Sequence, residues 1–114
     1  MSTQETLERH LQAFAKGPDA IMRDYTESSV LFTPQARLTG LDSIRAFFAQ
    51  FLAESPPELL AAMTLVHQDV AGEIAYIIWK AEPFIPLATD TFVIRDGKIL
   101  VQTFAALMPV AATR

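Results

Sequence analysis

Leu7, Leu11 and Phe14 recur at helical intervals near the start of the chain and share one face of an amphipathic helix. Ser2 and Glu5 stand at capping-box spacing, a start signal for that helix. Gly17-Pro18 ends it, because Gly accepts the left-handed C-terminal conformation and Pro cannot continue the ladder. The pattern predicts a short second helix from about Asp19 to Tyr25 that buries Ile21, Met22 and Tyr25. Ser29 to Thr33 is rich in strand formers and stops at Pro34, and Gln35 to Gly40 reads as a loop. The clearest helix follows, with Ile44, Phe47, Phe48, Phe51 and Leu52 on one side. Asp42, Arg45, Gln50 and Glu54 lie mostly off that side, and Pro56-Pro57 stops the helix.

The second half is strand-like throughout. Leu59 to Val70 and Ile74 to Glu82 flank a turn at Ala71-Gly72, and Leu87 to Arg95 and Ile99 to Leu107 flank Asp96-Gly97. The Asp-Gly pair is a strong hairpin signal. Helices first and antiparallel hairpins second make an α+β plan, with three N-terminal helices on one face of a curved, mostly antiparallel sheet. Ala75-Tyr76-Ile77-Ile78-Trp79 is apolar on both faces. Helices cover one face only, so the other is expected to pair with a second copy in a homodimer.

At 114 residues the chain is one domain. With 51% hydrophobic and 19% charged residues it can pack a core, which excludes disorder. A formal charge of -4 without clustered Lys/Arg excludes nucleic-acid binding. Cys is 0, so there is no disulfide, thiolate metal site or cysteine nucleophile. Met1 to Arg9 is polar, with Glu5 and Glu8, and does not read as a signal peptide. No apolar run approaches the ~20 residues of a membrane helix. A soluble, cytoplasmic domain is expected.

The segments "RHLQAFAKGPD", "SSVLFTPQARLTGLDSIRAFF" and "TDTFVIRDGKILVQTFAAL" occur in an order that resembles the nuclear transport factor 2-like superfamily, from roughly Glu8 to Leu107. The nearest flavour is the SnoaL-like polyketide cyclases and ketosteroid isomerases. The resemblance implies a cone-shaped α+β barrel whose helices and concave sheet enclose an apolar pocket. In ketosteroid isomerases a first-helix tyrosine and a protonated late-strand aspartate polarise a carbonyl, and a second aspartate moves the proton. Here Asp90 in "TDTF" matches the late-strand aspartate, His10 occupies the tyrosine position, and Thr33, before Pro34, occupies that of the base. A threonine cannot serve as that carboxylate. SnoaL-like cyclases rely on the late-strand aspartate as acid/base, which Asp90 fits better.

Asp90 facing the pocket with Ala88, Phe92 and Ile94 would be a desolvated proton donor or acceptor; the alternative is a carboxylate bound to a loop or solvated at a strand end. His10 shares the inward helical face and is either a second acid/base group or a satisfied core histidine. Gln102 is placed by the resemblance on the cavity face as a substrate hydrogen-bonder. Tyr25, Thr33, Phe92 and Phe104 complete the expected contacts, with the two phenylalanines as apolar walls. His67 reads as a pocket-wall or surface residue, and no metal is expected because no close H-x-H or H-x-x-E pair exists. Trp79 lies one register step between the pocket and the outer face; outward, with Ile77 and Val101, it would join the dimer interface. The Phe47-Phe48-Phe51 stripe reads as core rather than a ligand box. Two functions follow as expectations. One is cofactor-independent acid/base chemistry by Asp90 and His10 on a small apolar carbonyl compound, as an isomerase, cyclase or dehydratase. The other is a non-catalytic ligand-binding module or structural homodimer.

Overall fold

The computed structural model describes residues 1–107. The elements run α1 (Thr3–Ala13), α2 (Pro18–Met22), β1 (Tyr25–Phe32), β2 (Arg37–Thr39), α3 (Leu41–Glu54), α4 (Pro57–Ala62), β3 (Thr64–Ala71), β4 (Ile74–Ala81), β5 (Ile85–Arg95) and β6 (Lys98–Leu107). The six strands form one sheet in the order β2-β1-β6-β5-β4-β3. The β1–β6 pair is parallel and the others are antiparallel, so the sheet is mixed and mostly antiparallel. It is open, edged by β2 and β3, rather than closed into the barrel that the resemblance implies. No described helix is long and apolar enough to cross a membrane.

Local signals act where expected. Ser2 and Glu5 form the capping box of α1, each side chain bonding the other's backbone N–H. Asp96 and Gly97 both take positive φ, 52° and 75°, which a two-residue type I′ turn requires between twisted strands. Gly40, which caps α3, has φ 88°, and a Cβ there would come within 3.3 Å of the Glu27 carbonyl oxygen.

Three boundaries differ from the sequence reading. Tyr25 opens β1 instead of closing α2, because the Ile99 N–H bonds the Asp24 carbonyl at 2.7 Å and Tyr25 registers with Ile99 on β6. Strand pairing there overrides a local helical pattern. The loop 35–40 contains β2, which folds back on β1 through a turn closed by the Thr33 N–H to the Ala36 carbonyl. The strand expected from Leu59 begins only at Thr64. Pro57 stands at the first helical position, where its fixed φ favours a new helix, and Glu58-Leu59-Leu60-Ala61-Ala62 are strong helix formers. Among the described residues four helices therefore stand where three were expected.

On β4, Ala75, Ile77, Trp79 and Ala81 are buried; on β5, Ala88, Asp90, Phe92 and Ile94 are. They meet Leu7, Ile21, Ile44 and Phe48 of the helices, each fully buried apolar side chain contributing roughly 1.5–3 kcal/mol. Trp79 and Ile77 therefore face inward, and the outward placement of Trp79 does not hold. The opposite face carries cross-strand rows such as Ile74–Val93–Val101 and Ile78–Thr89–Ala105.

Candidate functional site

Strand alternation sets the site. Asp90 and Phe92 lie two apart on β5, and Gln102 registers with Phe92 while Phe104 registers with Asp90 on β6. Trp79 reaches the same face from β4, and α1 brings His10 down from above. These side chains line a cavity of about 220 Å³, walled also by Phe14, Phe47, Phe48 and Phe51 and open past the exposed Thr64 and Leu65. The Phe47-Phe48-Phe51 stripe thus does two jobs. Phe48 is core, and all three line the cavity.

The polar groups form one chain of hydrogen bonds. Asp90 is 6% exposed, and both its oxygens accept N–H bonds, Oδ1 from Trp79 Nε1 at 2.7 Å and Oδ2 from Gln102 Nε2 at 2.8 Å. Gln102 Oε1 accepts from the Tyr25 hydroxyl. The Tyr25 oxygen lies 3.4 Å from His10 Nε2, and His10 Nδ1 lies 3.2 Å from Asp24 Oδ2. Arg9 Nε donates to the other Asp24 oxygen at 2.8 Å, and Arg9 Nη2 to the Gly97 carbonyl. Among the described residues no buried side-chain polar atom lacks a partner.

Burial pushes the Asp90 carboxyl above the usual carboxylate range. The Trp79 and Gln102 N–H groups and the charge of His10 pull the other way without cancelling it. Burial also raises the Tyr25 phenol well above its ordinary value, helped by the nearby Asp90 and Asp24 carboxylates, so this hydroxyl stays protonated.

His10, Asp90, Gln102, Phe92 and Phe104 converge on one cavity. His10 and Asp90 are not paired directly; they are joined through Tyr25 and Gln102. Tyr25 lies behind the lining and reaches it through those bonds. Thr33 does not line the cavity: its hydroxyl accepts from the Gln35 and Ala36 N–H groups at the β1–β2 turn, where a small hydroxyl residue stabilises the chain reversal. His67 is exposed on β3, and no group of three His, Asp or Glu among the described residues could hold a metal. One participant escaped the sequence reading: Asp24, which holds His10, since nothing local ties it to a residue fourteen positions earlier. Strand alternation leaves Trp79 open between the pocket and the outer face; it lines the pocket, and its N–H holds Asp90.

No family model matches the chain, and neither does any curated protein. Solved structures do. An NTF-2 like protein of unknown function from Burkholderia xenovorans is 22% identical with a TM-score of 0.74, covering 97% of this chain and 87% of that one. This chain has the nuclear transport factor 2-like fold. A SnoaL-like protein of unknown function from Burkholderia thailandensis is 15% identical with a TM-score of 0.73 and coverage of 92% and 94%. A protein from Sinorhizobium meliloti named as a candidate polyketide cyclase is 18% identical with a TM-score of 0.71 and coverage of 91% and 99%. The nuclear transport factor 2-like fold supplies the inward sheet face and helical lid, and its chemistry rests on the side chains placed there.

Proposed function

We propose that the chain takes up a small apolar carbonyl compound and carries out proton-transfer chemistry on it, as a cofactor-independent cyclase, isomerase or dehydratase. Asp90 and His10 are the acid/base groups. The carrying observation is a carboxyl buried on the wall of an aromatic cavity, held at both oxygens and shifted upward by its burial. An exposed carboxylic acid is almost wholly ionised at pH 7; desolvation keeps more of this one able to donate a proton. The cavity falls below the ~300–1,000 Å³ of drug-sized pockets, so the reading favours a compact molecule of one or two rings. The candidate cyclase among the fold neighbours agrees with this class.

A binding module without turnover is the second reading, favoured by the placement of Thr33 at a turn and by the internal satisfaction of every buried side-chain polar atom among the described residues. Trp79, the only tryptophan, lines the cavity and so reports on both. Small cyclic ketones and phenols should change its fluorescence saturably, and product should form from the compound that is turned over. Saturable binding with no product from any tight-binding compound supports the second reading; absence of any response removes both.

The partner proposed with this reading is a second copy on the outer sheet face. Its rows of Ile, Val, Thr and Tyr hold few charges, which suits an interface centre. Ile78→Glu, at the middle of that face, should shift sedimentation from dimer to monomer. A monomeric wild type at micromolar concentration removes the proposal.

A further inference from the structure

Among the described residues the Gln102 amide is the only hydrogen-bonded link between the two halves of the site, and its two ends are chemically unlike. Its oxygen faces the Tyr25 hydroxyl and its nitrogen faces Asp90 Oδ2. In this orientation Tyr25 donates toward Gln102, so its oxygen can only accept from His10 Nε2. His10 Nδ1 faces the Asp24 carboxylate, which only accepts. Both ring nitrogens are then donors, and His10 is an imidazolium opposite an ionised Asp90. Turning the amide over reverses each demand. An amide oxygen 2.8 Å from Asp90 Oδ2 requires a proton on the carboxyl. The amide N–H then donates to Tyr25, whose freed O–H donates to an unprotonated His10 Nε2.

We propose that Gln102 is a positioning residue that couples His10 to Asp90, its amide turning over as one proton is held by either the imidazole or the carboxyl. The balance closes. The first arrangement carries protons on Nδ1 and Nε2 of His10 and none on Asp90; the second carries one on Nδ1 and one on Asp90 Oδ2. Between them one proton leaves Nε2 and one is bound at Oδ2, the Tyr25 hydroxyl swings, and the amide rotates in place. The bonds from Arg9 to Asp24 and from Trp79 to Asp90 are kept in both. Both His10 and Asp90 line the cavity, so water entering it exchanges the proton. The titratable or charged groups surrounding this circuit among the described residues are Arg9, Asp24 and Tyr25; α3 presents only Phe48 to the His10 ring. The use of the device in catalysis rests on the acid/base reading: an Asp90 that has given its proton to a substrate is recharged from His10. The coupling itself does not depend on turnover.

Nuclear magnetic resonance on the free, full-length protein tests it. His67 is the only other histidine, so His67→Gln leaves a single ring to observe. The His10 ring nitrogens and the Asp90 carboxyl carbon should each titrate in two steps, with the same two midpoints, because the pair and not either group owns them. The Gln102 amide protons should shift between those midpoints. Gln102→Met and, as an independent break should that variant fail to fold, Tyr25→Phe should each reduce both curves to single, separate steps. Asp90→Asn, whose amide imitates the protonated carboxyl, should leave His10 Nε2 without a proton at neutral pH. Single steps in the wild type overturn the proposal, as do two-step curves that persist in the folded variants, which would mean coupling through space alone. A coupled titration in a protein that turns nothing over would sink the catalytic reading and leave this one standing.

Discussion

Asp24→Ala should lower the unfolding free energy by about 1.5–3 kcal/mol, the cost of removing a charged acceptor and leaving the buried His10 Nδ1–H unpaired. Asp24 and His10 are each 1% exposed, and among the described residues Asp24 is the single acceptor that His10 Nδ1 meets. Removing it leaves a ring N–H in a low-dielectric core without a partner and an arginine without its anchor. The Arg9 half carries less of the loss, since its side chain is 42% exposed and screened by water. A matched control is Asp19→Ala, which breaks the exposed pair with Arg45 and should cost no more than about 1 kcal/mol. Urea denaturation of the two variants beside wild type measures both. An Asp24→Ala loss as small as that of Asp19→Ala would mean that the buried network does not hold α1 to the sheet.

The different legibility of these residues has a physical cause. Asp90 could be grouped with Phe92, and Gln102 with Phe104, because strand alternation is a short-range rule, while the resemblance supplied the face they share. A β-bulge between Val93 and Ile94 shifts the register between the Asp-Gly turn and the site, so the turn alone does not set it. His10 could be placed because Leu7, Leu11 and Phe14 define the face it shares. Asp24 could not, since its partners Arg9 and His10 are brought to it by tertiary packing and no periodicity spans that gap. Tyr25 was legible as buried but misplaced in a helix, because the parallel pairing that makes it a strand residue depends on Ile99, far along the chain. The function of Trp79 turned on one register step. A β-bulge where β3 pairs with β4, between Leu65 and His67, is a further irregularity that alternation alone does not locate.

If Asp90 is the proposed acid/base group, Asp90→Asn should abolish detectable turnover while leaving the fold intact, a loss of about 10²–10⁴-fold being expected for removal of a general acid or base. Asn keeps the shape of the side chain, and its oxygen still accepts from Trp79. Its amide nitrogen meets Gln102 once that amide has turned over, so no buried polar atom is orphaned. The stability effect has a definite sign. Burial raises the folded-state Asp90 carboxyl above its unfolded value near 3.8. A raised group contributes stability below the unfolded value and loses it as pH rises through the folded one. The neutral amide has no such loss. Asp90→Asn should therefore match wild type at acid pH and become the more stable protein as pH climbs toward neutrality. Urea midpoints measured from about pH 4 to about pH 8 read this directly. A variant that is inactive yet more stable at neutral pH would mark Asp90 as a carboxyl kept at a cost to the fold, as expected of a functional group. A variant that loses stability at every pH would make Asp90 a structural anchor for Trp79 and Gln102, and the catalytic reading would fall with it.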